Sequence, residues 1–169
     1  MGRGRTRGWF GQLRPVAGGV FLALALALSA SPLLARCGPD IVTVEGDFGT
    51  VRFTVEVADE PEERSRGLMF VEEMGRFEGM LFIYERPQRA SFWMRNTLIP
   101  LDMLFAGADG TVTRIHRDAV PLDETPIPGG NEVQYVLEIN GGMAARLGIE
   151  EGAIMQHPAI GPNAALPCP

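Results

Sequence analysis

The segment from Phe92 to Asp102 holds the densest group of aromatic, charged and amide side chains in the chain. Trp93 offers a flat surface for stacking, and Arg95, Asn96 and Asp102 offer hydrogen-bonding groups. Such a mixture is typical of a concave binding site, in which a few polar groups orient a ligand that an apolar surface holds. The segment therefore predicts a polar-aromatic rim that binds a small ligand.

A tight connection between two strands explains the same residues without a ligand. In that interpretation, Asn96 and Thr97 satisfy the backbone amides of a turn, as short polar side chains commonly do. Asp102 then pairs with Arg64 or Arg95. The residue types by themselves leave both interpretations open.

Common catalytic signatures are missing from the sequence. It contains no phosphate-binding G-x-x-x-x-G-K-[ST] loop, no G-x-S-x-G elbow, no H-E-x-x-H and no C-x-x-C. After residue 35, the only serines are Ser65 and Ser91 and the only histidines are His116 and His157. A hydrolytic triad would have to pair one of each, and nothing in their spacing favours this. We therefore favour a protein without catalysis.

Methionine sulfur raises the question of a copper site. Thioethers are soft ligands that suit Cu(I), and Met155 stands two residues before His157, on one side of a predicted strand. Met80, Met94 and Met103, however, lie within apolar strands, where methionine fills gaps in a core. The core interpretation is the stronger one, and we predict no metal and no cofactor.

Two cysteines, Cys37 and Cys168, stand near the two ends of the chain that is expected to remain after removal of residues 1–35. In an oxidising compartment such a pair predicts a disulfide. Two unpaired thiols are the alternative. Leu34 to Cys37 also resembles a lipoprotein box, but Arg36 occupies the position that needs a small residue, which disfavours lipidation.

These side chains must be positioned by short strands, because alternating or continuous apolar runs recur throughout the chain. A hairpin is expected at Gly107 to Gly110, a turn at Arg86 to Gln88 and a long loop from Pro121 to Gly130. The expected strands cover residues 41–45, 51–57, 79–84, 90–94, 101–106, 112–119, 133–139 and 153–157.

Two short helices complete the expected elements. Asp59 followed by Glu62 is a capping signature for a helix from about residue 60 to residue 66, which Gly67 ends. Asn140 is expected to cap a second helix over residues 143–147. Together the elements predict a mainly β fold, a compact antiparallel β-sandwich or small barrel with two short helices.

The composition supports one globular domain. Apolar residues make up 46% of the 169 residues and charged residues 21%, which argues against a disordered chain. The net charge of −6 disfavours a nucleic-acid-binding protein. We expect a signal peptide at residues 1–35, a single domain at 36–160 and a proline-rich tail at 161–169.

The N-terminal residues have the pattern of an export signal. Arg3, Arg5, Arg7 and Arg14 precede an apolar run over residues 20–28, and small residues follow it. An uncleaved anchor over residues 16–35 is the alternative. We expect an exported protein of the periplasm or cell envelope, with no stable membrane span once the signal is removed.

Four segments resemble the domain of unknown function 192 family. They are Arg64 to Phe70, Gly79 to Phe82, Phe92 to Asp102 and Tyr135 to Glu138, and they occur in the order of the family. The resemblance implies a compact, mainly β, often exported domain, and it implies no activity. The polar positions of the family motif map to Arg64, Asn96, Thr97, Asp102 and Glu138.

Three functional hypotheses follow. The first is a non-catalytic module that binds an unidentified small ligand or envelope component at the rim between Trp93 and Asp102. The second is an enzyme in which Asp102 or Glu138 is the general base and Arg64 or Arg95 holds an anionic group. The third is a purely structural domain in which the motif stabilises the fold. The oligomeric state is left open.

Overall fold

The computed structural model describes residues 37–169, so the predicted signal peptide lies outside the described residues. In this part of the chain no helix has the length and apolarity needed to cross a membrane. Residues 37–169 form seven strands, two short α-helices and one 3-10 turn. They are β1 Ile41–Gly46, β2 Gly49–Ala58, α1 Pro61–Arg66, β3 Glu78–Phe92, β4 Leu101–Ala106, β5 Val112–Ala119, β6 Ile127–Asn140, α2 Met143–Leu147, β7 Ile154–Gln156 and the 3-10 turn Pro158–Ile160.

All seven strands belong to one sheet, in the order β5-β4-β6-β3-β2-β1-β7. Among the strands that the structure describes, only the β2–β3 pair is parallel, because α1 lies in the connection between these strands. The sheet curls until its edges approach each other: the amide of Val112 donates to the carbonyl of Ala153 at 2.8 Å, and that of Met155 to the carbonyl of Gly110 at 2.9 Å. The mainly β prediction is confirmed, and a curled, barrel-like sheet describes the fold better than a sandwich.

The curled sheet has a core on each face. The inner core includes Val44, Phe53 and Leu137, and the residues around α2 and β7 close it. The outer core includes Phe82 and Phe105, and the segments between α1 and β3 and between β3 and β4 cover it. Because both faces of β4 and β6 are covered, their side chains are buried in consecutive runs rather than alternately.

Several predicted element limits were wrong. No turn interrupts the chain at Arg86 to Gln88, since β3 continues to Phe92 and absorbs that segment as register shifts against β6. The loop expected up to Gly130 is shorter, because β6 begins at Ile127. The first helix is capped by the reciprocal pair Glu60 and Glu63, one residue later than predicted.

The predicted disulfide is present between Cys37 and Cys168, whose Cα atoms are 5.8 Å apart. The side-chain amide of Gln156 donates to the carbonyl of Pro167 at 2.9 Å, which fixes the tail beside β7. In the chain-entropy model, a closed loop of 131 residues stabilises the fold by up to about 5 kcal/mol.

Candidate functional site

A pocket of about 290 Å³ opens on the outer face of the sheet. One wall is formed by residues 64–69, which include the end of α1 and the turn after it. The opposite wall is formed by residues 91–93 with Arg95 and Thr97, and Phe82, Tyr84 and Glu138 form the floor. The pocket is small enough to suit a metabolite rather than a large ligand.

Helix α1 ends at Arg66, within this wall, and Gly67 allows the chain to turn there. Gly67 has a φ of +50°, a backbone conformation that favours glycine. A Cβ atom at this position would lie 3.2 Å from the ring of Phe82 on β3. The absence of a side chain therefore lets the turn lie directly against the sheet.

Arg64 is held in place by the backbone of the wall. Its Nη1 donates to the carbonyl of Ile83 at 2.9 Å and also to the carbonyl of Asp59. The guanidinium carbon lies 5.3 Å from the centre of the Tyr84 ring. Both hydrogen bonds use Nη1, and within residues 37–169 no hydrogen bond or ion pair involves Nε or Nη2.

Arg95 and Trp93 form the opposite edge of the pocket. The Arg95 guanidinium carbon lies 5.4 Å from the Trp93 ring centre, and the indole is 46% exposed. Stacking of this kind restrains both side chains while leaving guanidinium N–H groups available. Arg66, which is exposed, brings a third guanidinium group to the lining.

Among the described residues, Glu138 is the one that brings a carboxyl group to this lining, and only 4% of it is exposed. In the part of the chain that the structure describes, no hydrogen bond or ion pair reaches its carboxyl group. Every fully enclosed side-chain nitrogen or oxygen among residues 37–169 has a partner, so the unpartnered carboxyl of Glu138 must reach the pocket surface. Burial raises its pKa from 4.5 to about 8.

Tyr84 lies under the influence of both signs of charge in the pocket. Burial raises the pKa of its phenol, the Arg64 guanidinium lowers it, and the carboxyl of Glu138 raises it. Arg64 and Glu138 are therefore both close enough to Tyr84 to change the pKa of its phenol. The cationic wall and the acidic floor therefore border the same small space.

Backbone hydrogen bonds join three loops beside the pocket. The amide of Phe70 donates to the carbonyl of Asn96 at 2.8 Å, and the amide of Leu122 donates to the carbonyl of Thr97 at 3.1 Å. Phe70, Asn96 and Leu122 all have positive φ values, of 64°, 54° and 65°. Such conformations are costly for large side chains and persist only where the surroundings impose them.

Asn96 is a turn residue by its backbone, but the second interpretation was wrong about the side chains: no turn amide among the described residues donates to the side chain of Asn96 or Thr97, and the Thr97 hydroxyl donates to the carbonyl of Arg95 at 3.4 Å. The backbone of Asn96 is left-handed and its carbonyl serves the neighbouring loop. Its side-chain amide lies 3.9 Å from the sulfur of Met69 and does not line the pocket. Asn140 also differs from expectation: its side chain donates to the carbonyl of Gly75 at 2.8 Å and does not cap α2.

Asp102 lies apart from the pocket, on the inner face of the sheet, and is completely buried. Its carboxylate accepts hydrogen bonds from the amides of Asp118 at 2.8 Å, Gly142 at 2.9 Å and Ala144 at 2.7 Å. It thus caps α2 from β4. The expected pairing of Asp102 with Arg64 or Arg95 was wrong, because backbone amides occupy the carboxylate.

The structure therefore brings five of the predicted site residues to one pocket: Arg64, Trp93, Arg95, Thr97 and Glu138. Sequence reasoning missed Arg66, Tyr84 and Ser91 as lining residues. Tyr84 carried a usable signal, because it ends an apolar strand and has the parity of Phe82 and Met80, which pack on the outer face.

The alternative copper site finds no support in the surroundings of His157. Its Nε2 lies 3.0 Å from the carbonyl oxygen of Pro39, and its Nδ1 accepts from the amide of Ala159 at 3.2 Å. Both ring nitrogens are therefore engaged with the backbone. Met155, its proposed partner, is packed in the inner core.

Comparison with known proteins finds that this chain is similar to proteins of an uncharacterised family. The model of the family DUF192, described as "Uncharacterized ACR", matches residues 41–157. A protein of unknown function from Novosphingobium aromaticivorans is 50% identical, with 68% of this chain and 82% of that chain covered and a TM-score of 0.67. No curated protein matches.

A second solved structure is similar to the same extent in fold. It is a Sinorhizobium meliloti protein called a "putative transcription regulator", 40% identical, with 71% of this chain and 94% of that chain covered and a TM-score of 0.67. The two relatives share the fold of this chain, and neither description identifies a ligand or a reaction.

Proposed function

Because this chain belongs to the DUF192 family, which is described as uncharacterised, we propose its function from the pocket alone: it is a non-catalytic, exported module that binds a small organic anion. One observation carries the proposal. Arg64, Arg66 and Arg95 surround a pocket of about 290 Å³ whose single carboxyl group is buried. Three guanidinium groups around one cavity suit a carboxylate, which arginine binds through paired N–H donors.

The charge balance of the pocket favours an anion at neutral pH. Since burial raises the pKa of Glu138 to about 8, its carboxyl is mostly neutral at pH 7 in the empty pocket. The guanidinium groups keep their charge at any physiological pH. The pocket therefore has a net positive charge in a described domain whose total charge is negative.

Aromatic side chains supply the apolar part of the binding surface. The rings of Phe82 and Phe92 pack edge to face, with centres 5.1 Å apart, and Trp93 extends this surface to the solvent. Such rings hold an apolar or planar group, while the arginines orient a charged one. A compact acid with an apolar body fits both features.

Export is supported by two features of the chain. The Cys37–Cys168 disulfide suits an oxidising compartment. The arginine-rich, then apolar, N-terminal sequence is typical of a secretory signal. We therefore place the binding activity in the periplasm or cell envelope.

An enzyme is the second candidate, and Glu138 is the observation that favours it. An unpartnered carboxyl group whose pKa is raised to about 8 can donate or accept a proton near neutral pH. Asp102 has no part in this alternative, since three backbone amides occupy it. No histidine lines the pocket to activate a hydroxyl, and the hydroxyl of Ser65 donates to the carbonyl of Pro61 rather than to a general base.

Isothermal titration calorimetry with matched ligands tests the proposal. We expect 3-phenylpropionate to bind and the uncharged 3-phenylpropanamide to bind at least tenfold more weakly, because only the acid meets the arginines. Arg66→Gln and Arg95→Gln should each weaken binding of the acid several-fold. Arg114→Gln, which changes an exposed arginine on β5, is the control and should leave the affinity unchanged. Equal binding of acid and amide would refute the proposal.

A further inference from the structure

We propose that the ligand is a zwitterion, an α-amino acid with an apolar or aromatic side chain, whose ammonium group pairs with Glu138 while its carboxylate meets the arginines. This inference rests on the proposed function and specifies its ligand class. It is carried by the position of Glu138 at the floor of the pocket and by the lack of any protein partner for its carboxyl group.

A buried polar group normally has a hydrogen-bond partner, and a buried carboxyl group is especially costly without one. Only 4% of Glu138 is exposed, and it lies on β6 between Met80 of β3 and Met103 of β4. These two neighbours offer it no N–H donor. Within residues 37–169 the carboxyl group therefore has no partner, and the pocket is the side from which one can come.

An arginine from the pocket wall does not fill this role. Arg64 is turned to the carbonyls of Ile83 and Asp59, and Arg95 is stacked on Trp93. Among residues 37–169 the ion pair within 4.0 Å joins Arg117 to Glu150, so none of the three pocket arginines forms one with Glu138. A ligand that carries a donor at one end and an acceptor at the other satisfies both sides.

The size of the cavity limits the distance between the two ligand charges. A volume of about 290 Å³ is close to the lower limit for small-molecule sites, so one compact molecule must reach both the floor and the wall. An α-amino acid carries its ammonium and carboxylate on one carbon. Its side chain can then lie against Phe82, Phe92 and Trp93, which continue the apolar surface outward.

A simple anion is the competing ligand, and it makes the opposite use of Glu138. A protonated Glu138 would donate its proton to an oxygen of the anion, so the bound state would keep the proton. An ammonium group instead pairs with the carboxylate form, so the bound state releases it. The ionisable or charged groups that face Glu138 across the pocket are the arginines Arg64, Arg66 and Arg95 and the phenol of Tyr84, whose pKa is raised by burial.

The test compares three ligands that share one benzyl group: L-phenylalanine, 3-phenylpropionate and phenethylamine. By calorimetry at pH 7 we expect phenylalanine to bind at least tenfold more tightly than either of the others. Its affinity should rise from pH 5.5 to pH 8, and titrations in buffers of different ionisation enthalpy should show that binding releases protons.

The variant Glu138→Gln separates recognition of the ligand ammonium group from recognition of its carboxylate. We expect it to bind phenylalanine at least tenfold more weakly, while binding of 3-phenylpropionate changes less than twofold. Glu132→Gln alters an exposed carboxyl on the same strand and is the matched control, which should behave as wild type.

The outcomes distinguish the two proposals. If 3-phenylpropionate binds as tightly as phenylalanine, or if binding takes up protons, the zwitterion is refuted and the anion-binding function stands. If phenethylamine binds as tightly as phenylalanine, the arginines do not recognise a carboxylate and both proposals fail. If none of the three ligands binds, both proposals are likewise refuted.

Discussion

Asp102 and Glu138 are buried carboxyl groups on neighbouring strands, and they have opposite surroundings. Asp102 on β4 is 0% exposed and Glu138 on β6 is 4% exposed. The two positions are adjacent in the sheet, since Asp102 faces Ile139 and Glu138 faces Met103 in the strand register. One residue points to the inner face of the sheet with three backbone donors, and the other points to the outer face with none among the described residues.

The comparison teaches that burial alone does not identify a functional carboxyl group. What separates the two residues is the origin of their hydrogen-bond partners. The Asp102 carboxylate accepts hydrogen bonds from the amides of Asp118, Gly142 and Ala144 and so holds α2 against the sheet. Its role is therefore to stabilise the fold. Glu138 has no such partner and lies where a ligand can supply one.

The largest effect is expected from Asp102→Ala, which removes the carboxyl group that has a structural role. Removing the carboxylate leaves three amides without their acceptor in a buried site. We expect the free energy of unfolding to fall by about 5 kcal/mol, since each bond to a charged group is worth about 1.5–3 kcal/mol and the three are not fully additive. Urea unfolding followed by circular dichroism measures this.

Asp102→Asn provides the matched control, because the amide keeps one acceptor oxygen and the same shape. It should lose about half as much stability as the alanine variant. An unchanged urea midpoint for Asp102→Ala would contradict the capping role of this carboxylate.

A smaller effect, of the opposite sign, is expected at Glu138. Burial raises its pKa in the folded protein from 4.5 to about 8, so the folded state keeps a proton that the unfolded state loses. The stabilisation of the folded state by protonated Glu138 is fully present below about pH 4.5 and is lost as the pH rises through about 8. We expect the wild type to lose about 3 kcal/mol of stability across this interval, which is below the full linkage value of about 1.4 kcal/mol per pH unit because the pocket admits water.

Glu138→Gln should remove this pH dependence and raise the unfolding free energy at pH 8 by a similar amount. Thermal unfolding of both proteins between pH 4.5 and pH 8.5 measures the difference. Glu132→Gln serves as the reference for loss of an exposed carboxyl. Parallel pH profiles for wild type and Glu138→Gln would show that Glu138 titrates normally and would remove the distinction between the two carboxyl groups.

The smallest effect concerns ligand affinity in the Asp102→Asn protein. Because Asp102 does not reach the pocket, we expect its affinity for phenylalanine to stay within twofold of wild type below its melting temperature. The same measurement on Glu138→Gln should show at least a tenfold loss, which corresponds to about 1.4 kcal/mol. A similar loss in both variants would mean that the two faces of the sheet are coupled.

Much of this architecture could be predicted from local patterns. Alternation in residues 51–57 identified β2, the run at 101–106 identified β4, and the turn residues at 107–110 identified the hairpin between β4 and β5. Strand limits failed where tertiary pairing overrides a local signal. Pro87 indicated a turn, yet β3 continues past it, because a register shift against β6 accommodates a residue that cannot donate a hydrogen bond.

The sequence by itself determined the location of most strands, though not their limits, the disulfide partners and the opposite orientation of Leu101 and Asp102. Side chains alternate along a strand, and Cys37 and Cys168 are the only cysteines in the chain, so both facts are local or unique. Only the tertiary structure decided what covers each face. The amides that bind Asp102 come from residues 16 to 42 positions later. The pocket arginines near Glu138 come from α1 and from the segment between β3 and β4. A local sequence pattern does not show which distant segments will cover a strand. In this fold they make Asp102 a helix cap and leave Glu138 open to the pocket.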